Sequence, residues 1–259
     1  MILPDSELFL DFAAASRALG TVEGIVRAVR NGAVLVQPLL RQEAIASCLL
    51  DGIEASTADL ALFESSGTPA TERDDVREVA TYVATLQKAL GRQADRAEAN
   101  GGPRLVEAAI EHQTGGDRVA LVAALGAVVD VSSFFVRHRD EYGARAPVAQ
   151  ADWLRFVFRG IAEQAGAASA RLLSLDALAR EWRMRVASAR NSAALEPVLD
   201  ALFAIPATTG ARLAELMGVT YPAARKTLDG LVERGILTPT TVGKRHFFVA
   251  NEVLEASAT

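Results

Sequence analysis

Cysteine occurs once in the 259 residues, at Cys48. An internal disulfide and a cysteine-rich zinc site are therefore excluded, and a lone thiol of this kind reads as a small buried hydrophobe. Histidine is almost as scarce: His112, His138 and His246 are the full set. None lies at metal-ligand spacing from a cysteine or carboxylate cluster, so no metal and no metal-borne cofactor is expected. Aromatic residues are only 6% of the chain, and Ala, Leu and Val dominate instead. That bias favours helix, because Ala and Leu lose little side-chain freedom there. Long apolar runs are missing too. The longest, Val119 to Val129, falls well short of the roughly 20 residues that a helix needs to cross a bilayer. Met1 to Glu7 has no basic stretch ahead of an apolar one, so no signal peptide is expected. A reduced, cytoplasmic protein without a membrane partner is the expectation. Positive charge is not in excess either: Lys and Arg number 27 against 32 Asp and Glu. Any nucleic-acid contact must then come from a local patch. Neither a Gly-Lys-Ser/Thr phosphate loop nor a Gly-x-Ser-x-Gly nucleophile elbow occurs.

What is present is helical periodicity. Leu8, Phe12 and Leu19 share a face of a first helix, which the sequence predicts to break at Gly20. A second helix is predicted from Leu39 through Leu50, stopping at Asp51-Gly52, with helix resuming over Ile53 to Phe63. Glu64 to Ala70 reads as a loop, and Thr71 with Asp74 as a capping box. The next helix turns Val76, Val79, Val83, Leu86 and Leu90 inward. After an irregular polar stretch to Gly102 come a short helix at Leu105 to Ile110 and a turn at Gln113 to Asp117. A very apolar helix follows, Arg118 to Val129. Ser132 or Ser133 caps a further helix through Tyr142. Asp152 caps a long one carrying Trp153, Phe156, Val157 and Ile161, and a separate helix runs from Ser174 to Ala189. Arg190-Asn191-Ser192 reads as a joint between domains.

Beyond that joint the cues converge. Leu195, Val198, Leu199, Leu202 and Phe203 have helical spacing and Pro206 closes their helix. Thr208 or Thr209 caps a second helix with Leu213, Leu216 and Met217 inside, and Gly218 permits a tight turn. Thr220 caps a third helix with Pro222 in its first turn and Ala224, Leu228, Leu231 and Val232 inside. Gly235 stops it. Ile236 to Thr238 reads as a strand, Thr240 to Gly243 as a turn, and Arg245 to Val249 as the return strand. Helix, helix, turn, helix, hairpin is the order of a winged helix-turn-helix, whose usual partner is duplex DNA. The third helix would set its N-terminal residues against base edges, with Thr220, Tyr221, Arg225 and Lys226 as candidates. Arg225 has the geometry for guanine. Lys244 and Arg245, on the wing, would meet backbone phosphates. The footprint is weakly basic: six cations stand against three anions between Thr208 and Val249, and Asp229 lies on the outward face.

Two stretches carry a resemblance to a known family. Pro38-Leu-Leu-Arg-Gln-Glu-Ala-Ile-Ala-Ser-Cys-Leu-Leu-Asp-Gly-Ile-Glu-Ala-Ser56, with Asp75 to Val83, resembles the N-terminal helical region of Fic proteins. Phe135 to Tyr142, Trp153 to Phe156 and Gly160 to Ala165 resemble the segment that leads from the Fic core into a C-terminal winged helix. The resemblance implies a Fic-like helical body. It also implies an inhibitory motif at Ser47, Asp51 and Gly52, with Asp where Glu is usual.

Fic enzymes transfer AMP to protein hydroxyls with a motif of His-Pro-Phe, two residues, Gly-Asn-Gly-Arg. That string does not occur in this chain. The nearest text, His112 to Arg118, lacks the Phe and the Gly-Asn-Gly order, sets Asp117 where phosphate would sit, and has Leu121 at the place of the second Arg. No catalytic residue and no cofactor is assigned.

The expectation is an all-α, Fic-like body carrying a C-terminal winged helix with a small β-hairpin. It divides into an N-terminal-like region (1–100), a remnant of the core helices (101–191) and the winged helix (192–259). The leading function is a catalytically inactive Fic relative that binds duplex DNA as a regulator, acting as a homodimer. The alternatives are residual adenylyl transfer or nucleotide binding, and an inhibitor or partner of another, intact Fic protein.

Overall fold

The computed structural model describes residues 6–66, 75–99, 134, 136–138, 150–188 and 192–258. The expectations at 67–74, at 100–133 and at 139–149 lie outside these residues, as do most of the Arg190–Ser192 joint and the side chains of Leu90 and Trp153. Five helices come first: α1 (Ser6–Ala28), α2 (Gly32–Leu35), α3 (Gln37–Leu50), α4 (Thr57–Ser66) and α5 (Asp75–Ala99). Then follow α6 (Gln150–Val186), α7 (Ser192–Ala204), β1 (Ala207–Thr208), α8 (Gly210–Met217), α9 (Tyr221–Glu233), β2 (Thr238–Val242), β3 (Arg245–Val249) and α10 (Asn251–Ala258). The fold is helical with one small antiparallel sheet near the C-terminus, in the order β1-β3-β2.

Two predicted interruptions are absent. α1 passes through Gly20 without a break. The glycine is exposed, and Val22, Ile25 and Val26 beyond it join the core. Their burial outweighs the roughly 1 kcal/mol that a helical glycine costs. α6 is one helix of 37 residues where the sequence predicts two. At about 1.5 Å per residue it is roughly 55 Å long. Ala165, Ala168, Leu172 and Leu175 are at most 1% exposed, so the buried stripe runs unbroken through the expected junction.

α1 lies along α6 and runs in the same direction. At one end Arg155 pairs with Glu7 and, at 3.5 Å, with Asp11, while the Phe12 and Phe158 rings meet edge to face at 5.4 Å. At the far end Arg30 and Arg183 share Glu196, at 3.1 and 3.3 Å. Asn31, in the left-handed region at φ 57°, donates to Asp200 at 2.7 Å and turns the chain from α1 into α2.

Helix does not resume at Ile53. Residues 53–56 are irregular, and α4 starts only at Thr57. The Ser56 hydroxyl accepts from the Asp59 backbone N–H at 3.0 Å and donates to the Asp59 carboxylate at 2.6 Å. This satisfies an orphan donor of the first turn. α4 then continues to Ser66, into the start of the predicted loop.

The stretch Gly32–Leu50 is apolar enough for a bilayer by length and composition. Within the protein it packs inward: Leu39, Leu40 and Ala44 are at most 1% exposed. It also carries the buried Arg41, which forms a two-pronged pair with Glu64 of α4 at 2.7 and 3.1 Å.

The largest core crosses from the body into the C-terminal elements. Leu172, Leu175 and Trp182 of α6 pack with Leu199, Phe203, Leu228, Phe248 and Val253. The sheet is covered on both faces. Phe248 and Ala250 face this core, whereas Phe247 and Val249 pack on Ala61 and Leu62 of α4. Alternation along the strand sends these neighbours to opposite sides. A second, smaller cluster joins α3, α4 and α5 through Leu40, Ala44, Cys48, Leu60, Val79, Val83 and Leu86.

The hairpin is displaced from its predicted place. Ile236 and Leu237 are buried but belong to the stop of α9, where the Ile236 N–H returns to the Leu231 carbonyl at 3.0 Å. β2 begins at Thr238 and includes Thr240 and Thr241, and the turn is Gly243-Lys244. Gly243 has φ 61°, the positive φ that a two-residue primed hairpin turn demands at its first position. Pro239 is tolerated because β2 is an edge strand. α10, which the sequence reading does not assign, closes the C-terminal unit. Its Glu252 accepts from the Trp182 indole at 2.8 Å and from Arg185 at 2.7 and 2.8 Å.

Candidate nucleic-acid interface

α8 and α9 form two short helices around a tight turn. Thr209, not Thr208, caps α8, accepting from the Arg212 N–H at 3.2 Å. Thr208 is in β1 opposite Phe248. Gly218 ends α8 at φ 62°, a conformation in which a side chain is strained. Thr220 occupies the cap position of α9 with extended backbone, but its hydroxyl makes no capping bond. Ala224, Leu228 and Leu231 are buried as predicted. Leu216 is not: half of it is exposed, because α8 is only two turns long and buries chiefly Leu213.

Thr220, Tyr221, Arg225, Lys226, Lys244 and Arg245 are all exposed. The Tyr221 ring lies over Gly210, where an added Cβ would come within 2.7 Å of it, so a glycine at the start of α8 admits the ring. Pro222 and Lys226, one turn apart, lie on the face opposite the buried row. Arg225 is engaged rather than free. Its Nε donates to Asp229 at 3.1 Å, and its guanidinium lies 5.0 Å from the centre of the Phe248 ring. The i,i+4 spacing of Arg225 and Asp229 was readable as a helix ion pair. The Phe248 contact needed the sheet to fold beneath α9 and had no local signal. Asp229, expected to repel phosphate, has its charge offset by Arg225. Arg212 reaches back to the body, donating to the Glu64 carbonyl at 2.9 Å.

The other candidate cluster ends α3. The Ser47 hydroxyl donates to the Tyr82 hydroxyl on α5 at 3.3 Å. Asp51 is the C-cap and exposed, and Gly52 follows at φ 85°. Cys48 is buried between them. Burial, then the charges of Glu78 and Asp51, push its thiol pKa up, so it stays protonated and unreactive. Beside this helix end is an open cleft of about 440 Å³, lined by Ile45, Leu49, Ala55 and Val76 with Glu54, Ser56 and Asp59. Its charged groups are carboxylates, which repel a nucleotide phosphate. Among the described residues no group of His, Cys, Asp and Glu could hold a metal ion. The His112–Arg118 stretch lies outside the described residues.

These elements define a helical protein with a small C-terminal sheet, built on one long spine helix. Residues 10–91 match the model of the Fic/DOC family N-terminal region. The match covers the N-terminal helices and agrees with the resemblance drawn from Pro38 to Val83. No curated protein matches the chain.

Proposed function

We propose that the protein is a Fic-family regulator that binds duplex DNA through a C-terminal winged helix and does not transfer AMP. The observation that carries this reading is the joint exposure of Lys226 on α9 and of Lys244 and Arg245 on the hairpin, flanking a helix–turn–helix. In a winged helix-turn-helix the second helix of the pair enters the major groove, and the hairpin lies against the backbone. Asp229 and Glu233 lie in the C-terminal half of α9, so only its first two turns suit the groove. A homodimer fits the reading, since two modules on a two-fold axis match two half-sites, and a cytoplasmic site gives access to DNA. The absence of the His-Pro-Phe motif supports a non-catalytic role. The test is fluorescence polarisation of the full chain on genomic DNA fragments across a salt titration. Affinity should fall steeply with salt, and Lys226→Ala/Lys244→Ala should reduce the slope by about 1.8, at roughly 0.9 per phosphate contact. Binding that is absent, or insensitive to salt, would sink the proposal.

A second reading has one observation in its favour. The Asp51 side chain is exposed and makes no hydrogen bond or ion pair among the described residues. It is therefore available to act in trans on an intact Fic enzyme. In that case the full chain should slow labelled AMP transfer by an active Fic enzyme, and Asp51→Ala should not.

A further inference from the structure

The cations on α9 do not begin until Arg225. From Leu216 to Ala224 no side chain carries a charge. This stretch is nonetheless the most exposed part of the helix pair. Leu216, Val219 and Tyr221 are 50%, 38% and 56% exposed, and Pro222 and Ala223 are exposed beside them. Apolar side chains on the leading edge of a helix pair, still exposed among the described residues, call for an apolar counterpart. Lys226 follows one turn after Pro222, and Lys244 and Arg245 flank the same face, so the counterpart sits within an anionic surface. In duplex DNA only one major-groove group meets both conditions: the C5-methyl of thymine, set among base edges and bounded by phosphates. The residue type that would read guanine, Arg225, is held by Asp229 and stacked on Phe248.

Resting on the DNA-binding reading above, we propose that the first turn of α9 selects its site by contact with thymine methyl groups, through Tyr221, Pro222 and Ala223. Specificity then comes from methyl burial, and Lys226 with the hairpin supplies sequence-independent affinity. Each methyl covered contributes about a fourfold change in affinity, the equivalent of one buried CH₂.

The test uses the full chain and a pool of 30-base-pair duplexes with 16 random central positions. Rounds of binding and recovery should enrich duplexes with thymine at recurring positions. Resynthesising the enriched duplex with deoxyuridine at those positions removes only the methyl groups. Binding should weaken fourfold or more, with the salt slope unchanged. Pro222→Ser/Ala223→Ser, at exposed positions, should narrow the difference between the two duplexes. Lys226→Ala should preserve that difference and lower the slope. Equal binding of the two duplexes by the wild type, with a normal salt slope, overturns the methyl proposal and leaves DNA binding standing. No enrichment and no salt slope overturns both. Equal binding, together with self-association that Leu216→Ser abolishes, assigns the patch to a second copy of the chain and equally overturns the proposal.

Discussion

The two candidate surfaces differ in what stands behind them. The α9 face rests on the large core, where Trp182 is fully buried, meets Phe203 at 4.9 Å between ring centres and donates to Glu252 of α10. The end of α3, with Ser47, Asp51 and Gly52, rests on the smaller cluster around Leu60, Val79 and Val83. One surface is backed by aromatic packing and charged hydrogen bonds from three helices, the other by mainly aliphatic contacts and neutral side-chain hydrogen bonds such as Ser47–Tyr82 and Gln42–Thr57. The two are joined by the packing of Phe247 and Val249 on α4 and by a polar bridge: Arg41 to Glu64 through side chains, and Arg212 to Glu64 through the backbone carbonyl. A DNA-reading face needs a rigid support, because base contacts fail when side chains are misplaced by about an ångström.

Removing the support of one surface gives the largest effect. Trp182→Ala should lower unfolding free energy by about 3–5 kcal/mol, by loss of transfer energy and a cavity, and should weaken the DNA binding proposed above. Chemical denaturation followed at several probes checks this. If the α3–α4–α5 cluster keeps native hydrogen-exchange protection while the C-terminal elements lose theirs, the two surfaces are separately supported. Uniform loss would mean that they form one cooperative unit.

Arg41→Ala attacks the bridge. It leaves the Glu64 carboxylate, only 13% exposed, without its partner, and should cost about 3 kcal/mol. Hydrogen exchange should then rise in α4 and at the start of α8, where Arg212 is tied down. Unchanged exchange in α8 would show that the sheet packing of Phe247 and Val249 on α4 carries the link by itself.

The smallest effect is titratable. Hydrogen bonds from Arg185 hold the Glu252 carboxyl below its ordinary pKa, against the opposing effect of burial and with the Trp182 indole assisting. The Arg185 guanidinium is correspondingly pushed up, chiefly by its bond to Glu252. The unfolded chain therefore takes the proton more readily than the folded one. This contribution is whole above the ordinary carboxylate range and is lost as pH falls from there through the lowered folded value. Glu252→Gln should cost about 1 kcal/mol at neutral pH after allowance for partial solvent exposure. Its Tm should approach that of the wild type as the solution is acidified. A gap that persists once the carboxyl is protonated in the folded state would place the role of Glu252 in packing.

The local devices of the C-terminal unit were legible: a threonine cap at 208 or 209, the glycines at 218 and 235, Pro222 in the first turn of α9 and the apolar row beneath it. Each acts within a few residues of itself. The hairpin start was misplaced because Ile236 and Leu237 look like a strand but are buried by the stop of α9. Leu216 was assigned inward because its spacing fits, although α8 is too short to bury it. The stop of α3 at Asp51-Gly52 was visible in sequence. The Ser47–Tyr82 contact was not, since its partners are 35 residues apart.

Although Asp152, predicted as a cap, lies inside the first turn of α6, the sequence by itself determined the helical class, the glycine stops at 218 and 235, the single buried thiol, the Fic-like N-terminal region and the charges on α9 and the hairpin. These depend on backbone preference and periodicity, which are properties of short segments. Tertiary structure alone decided that α6 is one helix, because the burial of Ala165, Ala168 and Leu172 against neighbouring elements overrides a weak local signal. It decided that α4 of the Fic-like region covers one face of the C-terminal sheet. It also decided that Arg225 is stacked on Phe248 and paired with Asp229. Which cation stays free to meet a partner depends on what has folded beneath it, and no local pattern encodes that.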